Sequence, residues 1–216
     1  MRHQPEPGGP LARLTSLVVP PTAGGNVLDW DSLTERYPRG FPDDYKEFMR
    51  VYGPGLFDDF LGVAPPVDEV YPNDPGSNVE GMTGTAELTA EEEDYDAPEL
   101  LIGWGFTVEA DLLCWRADSP DPNRWGTVIW RRHWAAPQCW SHFDCGMVEL
   151  LCRYAARDLP EHWTFDLRYS GARFFHDRDI KRYMELRIDP WGAEAALELC
   201  PRHRVGTDED GDRERF

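Results

Sequence analysis

Three groups of residues have types and spacings on which chemistry can be built. Cys139-x-x-His142-x-x-Cys145, with His133 upstream, has the spacing of a zinc ligand set, and zinc would take a fourth ligand in a tight loop. Against this, Cys139 adjoins Trp140 and Cys145 stands where a helix is expected to begin, two places where a small apolar residue serves equally well. His162 follows Glu161 and His176 precedes Asp177, but neighbours in sequence do not make a general acid–base pair. The pair His176-Asp177 reads as a surface feature. No Gly-x-Ser-x-Gly, phosphate loop or dinucleotide fingerprint occurs, and Gly103-Trp104-Gly105 reads as a strand that something approaches closely. The expectation is no catalytic residue, no bound metal and no cofactor.

The third group is the carboxylates. The 216 residues carry 22 basic and 40 acidic side chains, a net charge of -18. Such a surface repels nucleic-acid backbones and anionic membranes and attracts a basic protein. Solubility is the plainer use of the same charge. Glu91-Glu92-Glu93-Asp94, followed by Asp96, is the densest acidic stretch; Asp58 with Asp59 and Glu109 with Asp111 are the other candidates for contact with a partner. Tyr71 and Tyr95 lie near them and are of the type that anchors interfaces. Each carboxylate taken singly reads as a solvated surface group, and Asp58 and Asp111 have a second possible use, fixing a turn through backbone N–H groups.

These residues must be held by elements that the apolar pattern announces. Phe41, Tyr45, Phe48, Met49 and Tyr52 share one helical stripe, with Pro42 suited to the first helical position and Gly53-Pro54 as the stop. Residues 60–63 then read as a strand. Upstream, Trp30, Leu33 and Tyr37 fit a short helix capped by Asp29. Residues 65–98 are rich in proline, glycine and polar side chains and read as a loop, with 90–95 at most one exposed helical turn. Residues 100–106, 111–116 and 127–131 read as three short strands whose brief connections favour an antiparallel meander. Met147, Leu150, Leu151 and Tyr154 share a helical face, with Asp144 as its cap. Residues 163–169 alternate like a strand, and 180–188 fit helix or strand.

The apolar content of 41%, the 12% aromatics and the nine tryptophans are enough for a real core. Five cysteines, an odd number without a close-set framework, point to reduced thiols in the cytoplasm. Residues 11–19 make a poor secretory segment, and no apolar run approaches the length of a membrane span. The expected division is a flexible arm over 1–25, with Leu14, Leu17, Val18 and Val19 as the residues that can dock onto the body, an α+β domain over 26–160, a C-terminal extension packing on it over 161–206, and a disordered tail over 207–216.

The order of landmarks resembles the SUKH superfamily, the SMI/KNR-type family. Trp30, then Phe41-Pro42-Asp43-Asp44-Tyr45, then Tyr52-Gly53-Pro54-Gly55 look like that family's opening helices and turn. Ile102-Gly103-Trp104-Gly105, Glu109-Ala110-Asp111, Cys114-Trp115, Pro120-Asp121-Pro122-Asn123-Arg124-Trp125 and Phe143-Asp144-Cys145-Gly146 are similar to the elements that follow in bacterial relatives. The likeness covers about 27–159 and rests on order, not on one rigid motif. Ala110 departs from it, standing where a glycine is common; so do the stretch 65–98 and everything beyond Pro160. The resemblance implies an α+β fold, a single domain with a mainly antiparallel, curved sheet backed by helices. It also implies, for many bacterial relatives, an immunity protein that binds and neutralises a toxin domain, frequently a nuclease. A basic toxin cleft suits an acidic partner, so the resemblance and the charge lead to one expectation: a non-catalytic binding protein. An adaptor for an endogenous partner is the alternative, and a zinc-dependent enzyme the more distant one.

Overall fold

In the computed structural model, which describes residues 8–74, 76–159 and 172–192, seven antiparallel strands form one open sheet with five helices over its two faces. Helix α1 (Pro10–Leu17) starts on a proline, whose missing N–H would have had no partner there. It buries Leu11, Leu14 and the following Val18, while Leu17 and Val19 stay exposed. The arm expected to be loose is therefore partly an ordered helix, because side chains at i, i+3 and i+7 find a groove to fill. Residues 30–36, expected as a helix, form a run of turns such as Leu33 N–H to Trp30 O at 3.2 Å. So short a segment does not nucleate a helix easily. Trp30 nonetheless packs edge-on against Phe41 and Tyr45, ring centroids 5.4 and 6.0 Å apart.

Helix α2 (Asp43–Val51) buries Tyr45, Phe48 and Met49, with Phe41 and Tyr52 buried at its ends. Pro42 sits one place before the first helical residue. The buried phenols are satisfied: Tyr45 O–H donates to Ala64 O at 2.7 Å and Tyr52 O–H to Val18 O at 2.6 Å. After Gly53, at φ 72°, come strands β1 (Gly55–Phe57) and β2 (Leu61–Val63), joined through Asp58 and Asp59, both left-handed. Strand β1 is too brief to leave an alternation in the sequence.

Helix α3 (Val79–Glu92) replaces the expected loop. Its glycines and threonines are poor helix formers and it has no wide apolar stripe, so nothing local announces it. Asn78 starts it by accepting from Gly81 N–H at 3.1 Å, and the small Ala86 and Ala90 let it lie close on the sheet. Strands β3 (Leu101–Thr107), β4 (Leu112–Arg116) and β5 (Gly126–Trp130) form the expected meander, and β6 (Trp140–Phe143) adds a fourth member that was not anticipated. Helix α4 (Met147–Ala155) is not capped by Asp144. Its Val148 N–H donates instead to Asp44 Oδ2 of α2 at 3.1 Å, an approach that the missing Cβ of Gly146 permits. Strand β7 (Phe174–His176) pairs with β1, giving the order β6-β5-β4-β3-β2-β1-β7, and α5 (Asp177–Glu185) follows at once. Residues 163–169, expected as a strand, and the tail over 207–216 lie outside the described residues.

Side chains alternate across the sheet. Leu113, Trp115, Ile129, Phe57 and Phe174 face α1, α2 and α4 in the main core. The cross-strand row Phe175, Leu56, Gly62, Phe106, Leu112, Trp130 and Trp140 faces the other way. There α3 covers the β3–β5 side, and α5 with Trp191 covers β7 and β1.

Candidate functional site

The structure does not gather the nine candidate carboxylates into one site, and it gives two of them structural work. Asp58 is buried at the β1–β2 turn, its Oδ1 accepting from Arg173 N–H at 2.7 Å and its Oδ2 from Tyr154 O–H at 3.4 Å. Burial raises its pKa, and it ties the turn to the strand β7 approach and to α4. Asp111 is buried too: its Oδ2 accepts from Thr107 Oγ1–H at 2.9 Å and its Oδ1 from Arg132 N–H at 3.1 Å. Both are corrected from partner contacts to turn anchors, because a carboxylate oxygen that satisfies buried backbone N–H groups is worth more there than in solvent. Between Glu109 and Asp111, Ala110 takes φ 64°, the conformation for which glycine is the usual residue. Asp59 and Glu109 are exposed on adjacent turns, since Val108 N–H donates to Phe60 O at 2.9 Å.

The remaining five carboxylates stay together. Glu91 and Glu92 end α3, Glu93 is its C-cap, and Asp94 and Asp96 are exposed just beyond. Tyr95 packs at a tilt against Trp140 of β6, ring centroids 4.3 Å apart, and stacks on His142 at 5.9 Å, which fixes the acidic turn over the β6 edge. The last turn of α3 holds no basic residue. Carboxylates at the negative end of a helix dipole each destabilise it by about 0.3–1 kcal/mol, so the helix gains nothing from this placement.

The cysteine–histidine spacing does not close on a metal. Cys139, His142 and Cys145 lie along and beside β6, where an extended chain advances about 3.3 Å per residue, and neighbours at odd spacing point to opposite faces. Burial raises the thiol pKa of Cys139 and Cys145 and lowers that of the His142 imidazole. Among the described residues no group of three His, Cys, Asp or Glu side chains converges to hold a metal ion. His176 is not a surface group but is buried. Its Nδ1 accepts from Arg178 N–H at 3.1 Å as the cap of α5, so Nε2 carries the proton and donates to Asn26 Oδ1 at 2.7 Å. Burial brings its pKa down to about 4. His162 and Glu161 lie outside the described residues.

On the second face of the sheet, α3 and α5 leave a gap that sequence reasoning missed. A cavity of about 400 Å³ opens there, lined by Leu56 and Phe106 from the sheet, Met82 of α3 and Ile180 of α5. Asp68, Tyr71 and Asp74 wall it, and α5 adds Asp177. Asp68 is 7% exposed. Its Oδ1 accepts from Val70 and Tyr71 N–H, each at 2.7 Å, but its buried Oδ2 has no hydrogen-bond partner among the described residues. Asp177 stands in the first turn of α5, where the dipole favours its ionised form. Burial, and then the charge of Asp68, nevertheless push its pKa up to about 7. Tyr71, named in the sequence as an anchor, also lines this space. A proline-rich stretch and a helix start give no hint that Asp68 and Asp177 line one cavity, which follows from the β7–β1 pairing that brings α5 there. A groove of similar volume, about 390 Å³, lies between α3 and residues 36–41, but there Arg36 is already paired with Glu80.

Comparison with known protein families, with curated proteins and with solved structures gives no match. Among the described residues no helix is long and apolar enough to cross a membrane.

Proposed function

We propose that this chain is a non-catalytic binding module of the cytoplasm, an SUKH-like immunity protein that neutralises a basic, nuclease-type toxin domain by covering its active surface. The observation that carries the reading is the load of Glu91, Glu92, Glu93, Asp94 and Asp96 at and just beyond the end of α3, all exposed except the half-buried Glu93, and placed against the helix's own dipole. A group that costs its own element stability is explained by what it does for a partner. A net charge of -18 steers such a face onto a basic cleft and raises the association rate. Tyr95, half-buried and fixed against Trp140, supplies a rigid aromatic beside the carboxylates. The order of landmarks from Trp30 to Gly146 supports the same kinship. Asp58 and Asp111 drop out of the contact set.

The test is co-expression with a toxin encoded beside the gene, using the wild-type chain and a variant with Glu91, Glu92, Glu93 and Asp94 changed to Lys. Rescue of growth by the wild type and its loss in the variant are the expected results. Rescue that survives the charge reversal would overturn the role of this face, and no rescue by the wild type would overturn the reading itself.

A further inference from the structure

The gap between α3 and α5 combines features that solubility does not explain. Asp68 Oδ2 is buried without a hydrogen-bond partner among the described residues, although an unsatisfied buried carboxylate oxygen is strongly unfavourable. Asp177 lines the same cavity, and no ion pair to either carboxylate forms among the described residues. Two cations of α5 are otherwise engaged: Lys181 Nζ donates to Val70 O at 3.1 Å and lies 5.8 Å from the Tyr71 ring. Arg178 reaches away to Gly24 O. The rest of the lining is largely apolar, with Leu56, Phe106, Met82 and Ile180; a third carboxylate there, Asp74, is exposed and accepts from Gly76 N–H at 2.9 Å. Asp68 and Asp177 in the walls of one mostly apolar cavity of about 400 Å³ call for a cationic head on a hydrocarbon stem.

We infer that this cavity is a receptor for one alkylammonium group, the side chain of a lysine presented by the basic partner. The pocket's chemistry stands on its own residues; only the source of the lysine rests on the function proposed above. An ammonium fits better than a guanidinium. Asp68 has a single oxygen to offer, Oδ1 being taken by two backbone N–H groups, whereas guanidinium prefers a two-oxygen fork. The bound ammonium donates to Asp68 Oδ2 and to the Asp177 carboxylate, and the four-carbon stem lies on Phe106 and Met82. The burial cost of both carboxylates is offset only when the cation is in place.

Methyl-detected NMR of the full chain tests this with Nα-acetyl-lysine methylamide as probe and its ε-acetylated, uncharged form as control. The charged probe should shift the Met82 and Ile180 methyl signals saturably, and the uncharged one should not. Asp177→Asn should weaken the charged probe about tenfold or more, a loss of about 1.4 kcal/mol. Asp68→Asn keeps an oxygen for Val70 and Tyr71 N–H, so it should fold and weaken the probe similarly. Glu35→Gln, an exposed carboxylate outside both the cavity lining and the acidic face, should leave probe binding unchanged. Equal shifts from both probes, undiminished binding to both Asn variants, or no shift at about 10 mM probe would each overturn the proposal. Putrescine binding about tenfold tighter than the lysine probe would assign the pocket to a free diamine and overturn the protein source. Because no toxin is needed, failure here is distinct from failure of growth rescue.

Discussion

The two faces of the sheet are covered in different ways. On one face, α2 and α4 present dense apolar stripes, and Phe48, Tyr52, Phe57 and Phe174 interlock with ring centroids 4.8–6.3 Å apart. That face is closed. On the other, α3 approaches through small residues and α5 stands apart, so Phe106 and Leu56 end up flooring a cavity with carboxylates in its walls. The contrast teaches that this fold concentrates its aromatic packing on the first face and leaves room on the second for a cavity walled by carboxylates.

Truncation measures the contrast most directly. Phe48→Ala should lower unfolding free energy by about 3–5 kcal/mol in urea denaturation, while Met82→Ala at the cavity rim should cost at most about 2 kcal/mol. Equal losses would erase the distinction between the faces. Next, Gly103→Ala would place a Cβ 2.6 Å from the Met82 backbone and should cost about 3 kcal/mol by forcing α3 off the sheet. The matching change Gly84→Ala, with nothing within 4 Å of the new Cβ, should instead stabilise the protein by up to about 1 kcal/mol.

The pH dependence sharpens the comparison further. Asp177 titrates at about 7 in the folded chain against an ordinary 3.8, so the folded state holds the extra proton in that window and stability declines as pH rises through it. His176 titrates at about 4 against an ordinary 6.5, so there the unfolded state holds the extra proton and stability rises with pH over that range. The neighbours oppose each other up to pH 6.5, above which only Asp177 still acts. Asp177→Asn should therefore abolish the decline and leave a rise, read from denaturation midpoints across pH. The smallest effect belongs to the acidic end of α3. Glu91→Gln or Glu92→Gln should stabilise the chain by about 0.3–1 kcal/mol each; a loss of stability would mean that these carboxylates serve the fold and not a partner.

What was legible followed from repetition. The stripe from Phe41 to Tyr52, the helix through Met147 and Tyr154, and the strands carrying Trp104, Trp115 and Ile129 each repeat an apolar spacing often enough to identify the element and its inner face. The short strands β1, β6 and β7 repeat nothing, and α3 has the composition of a loop. The site was less legible than the fold. Exposed charge at Glu91–Asp96 was readable as charge, but Asp58 and Asp111 carry the same side chain and turned inward because backbone N–H groups awaited them.

The sequence by itself determined the helices through Tyr45 and Leu151, the three-strand meander and the acidic balance, because each depends on residue type and on spacing within one element. Only the tertiary structure decided that residues 79–92 are helical, that α4 begins on a carboxylate from α2, and that Asp68 and Asp177 share one cavity. Each of those depends on contacts between segments distant in sequence: the flat approach at Gly103, the opening at Gly146 and the pairing of β7 with β1. Local pattern carries no information about a partner that arrives a hundred residues later.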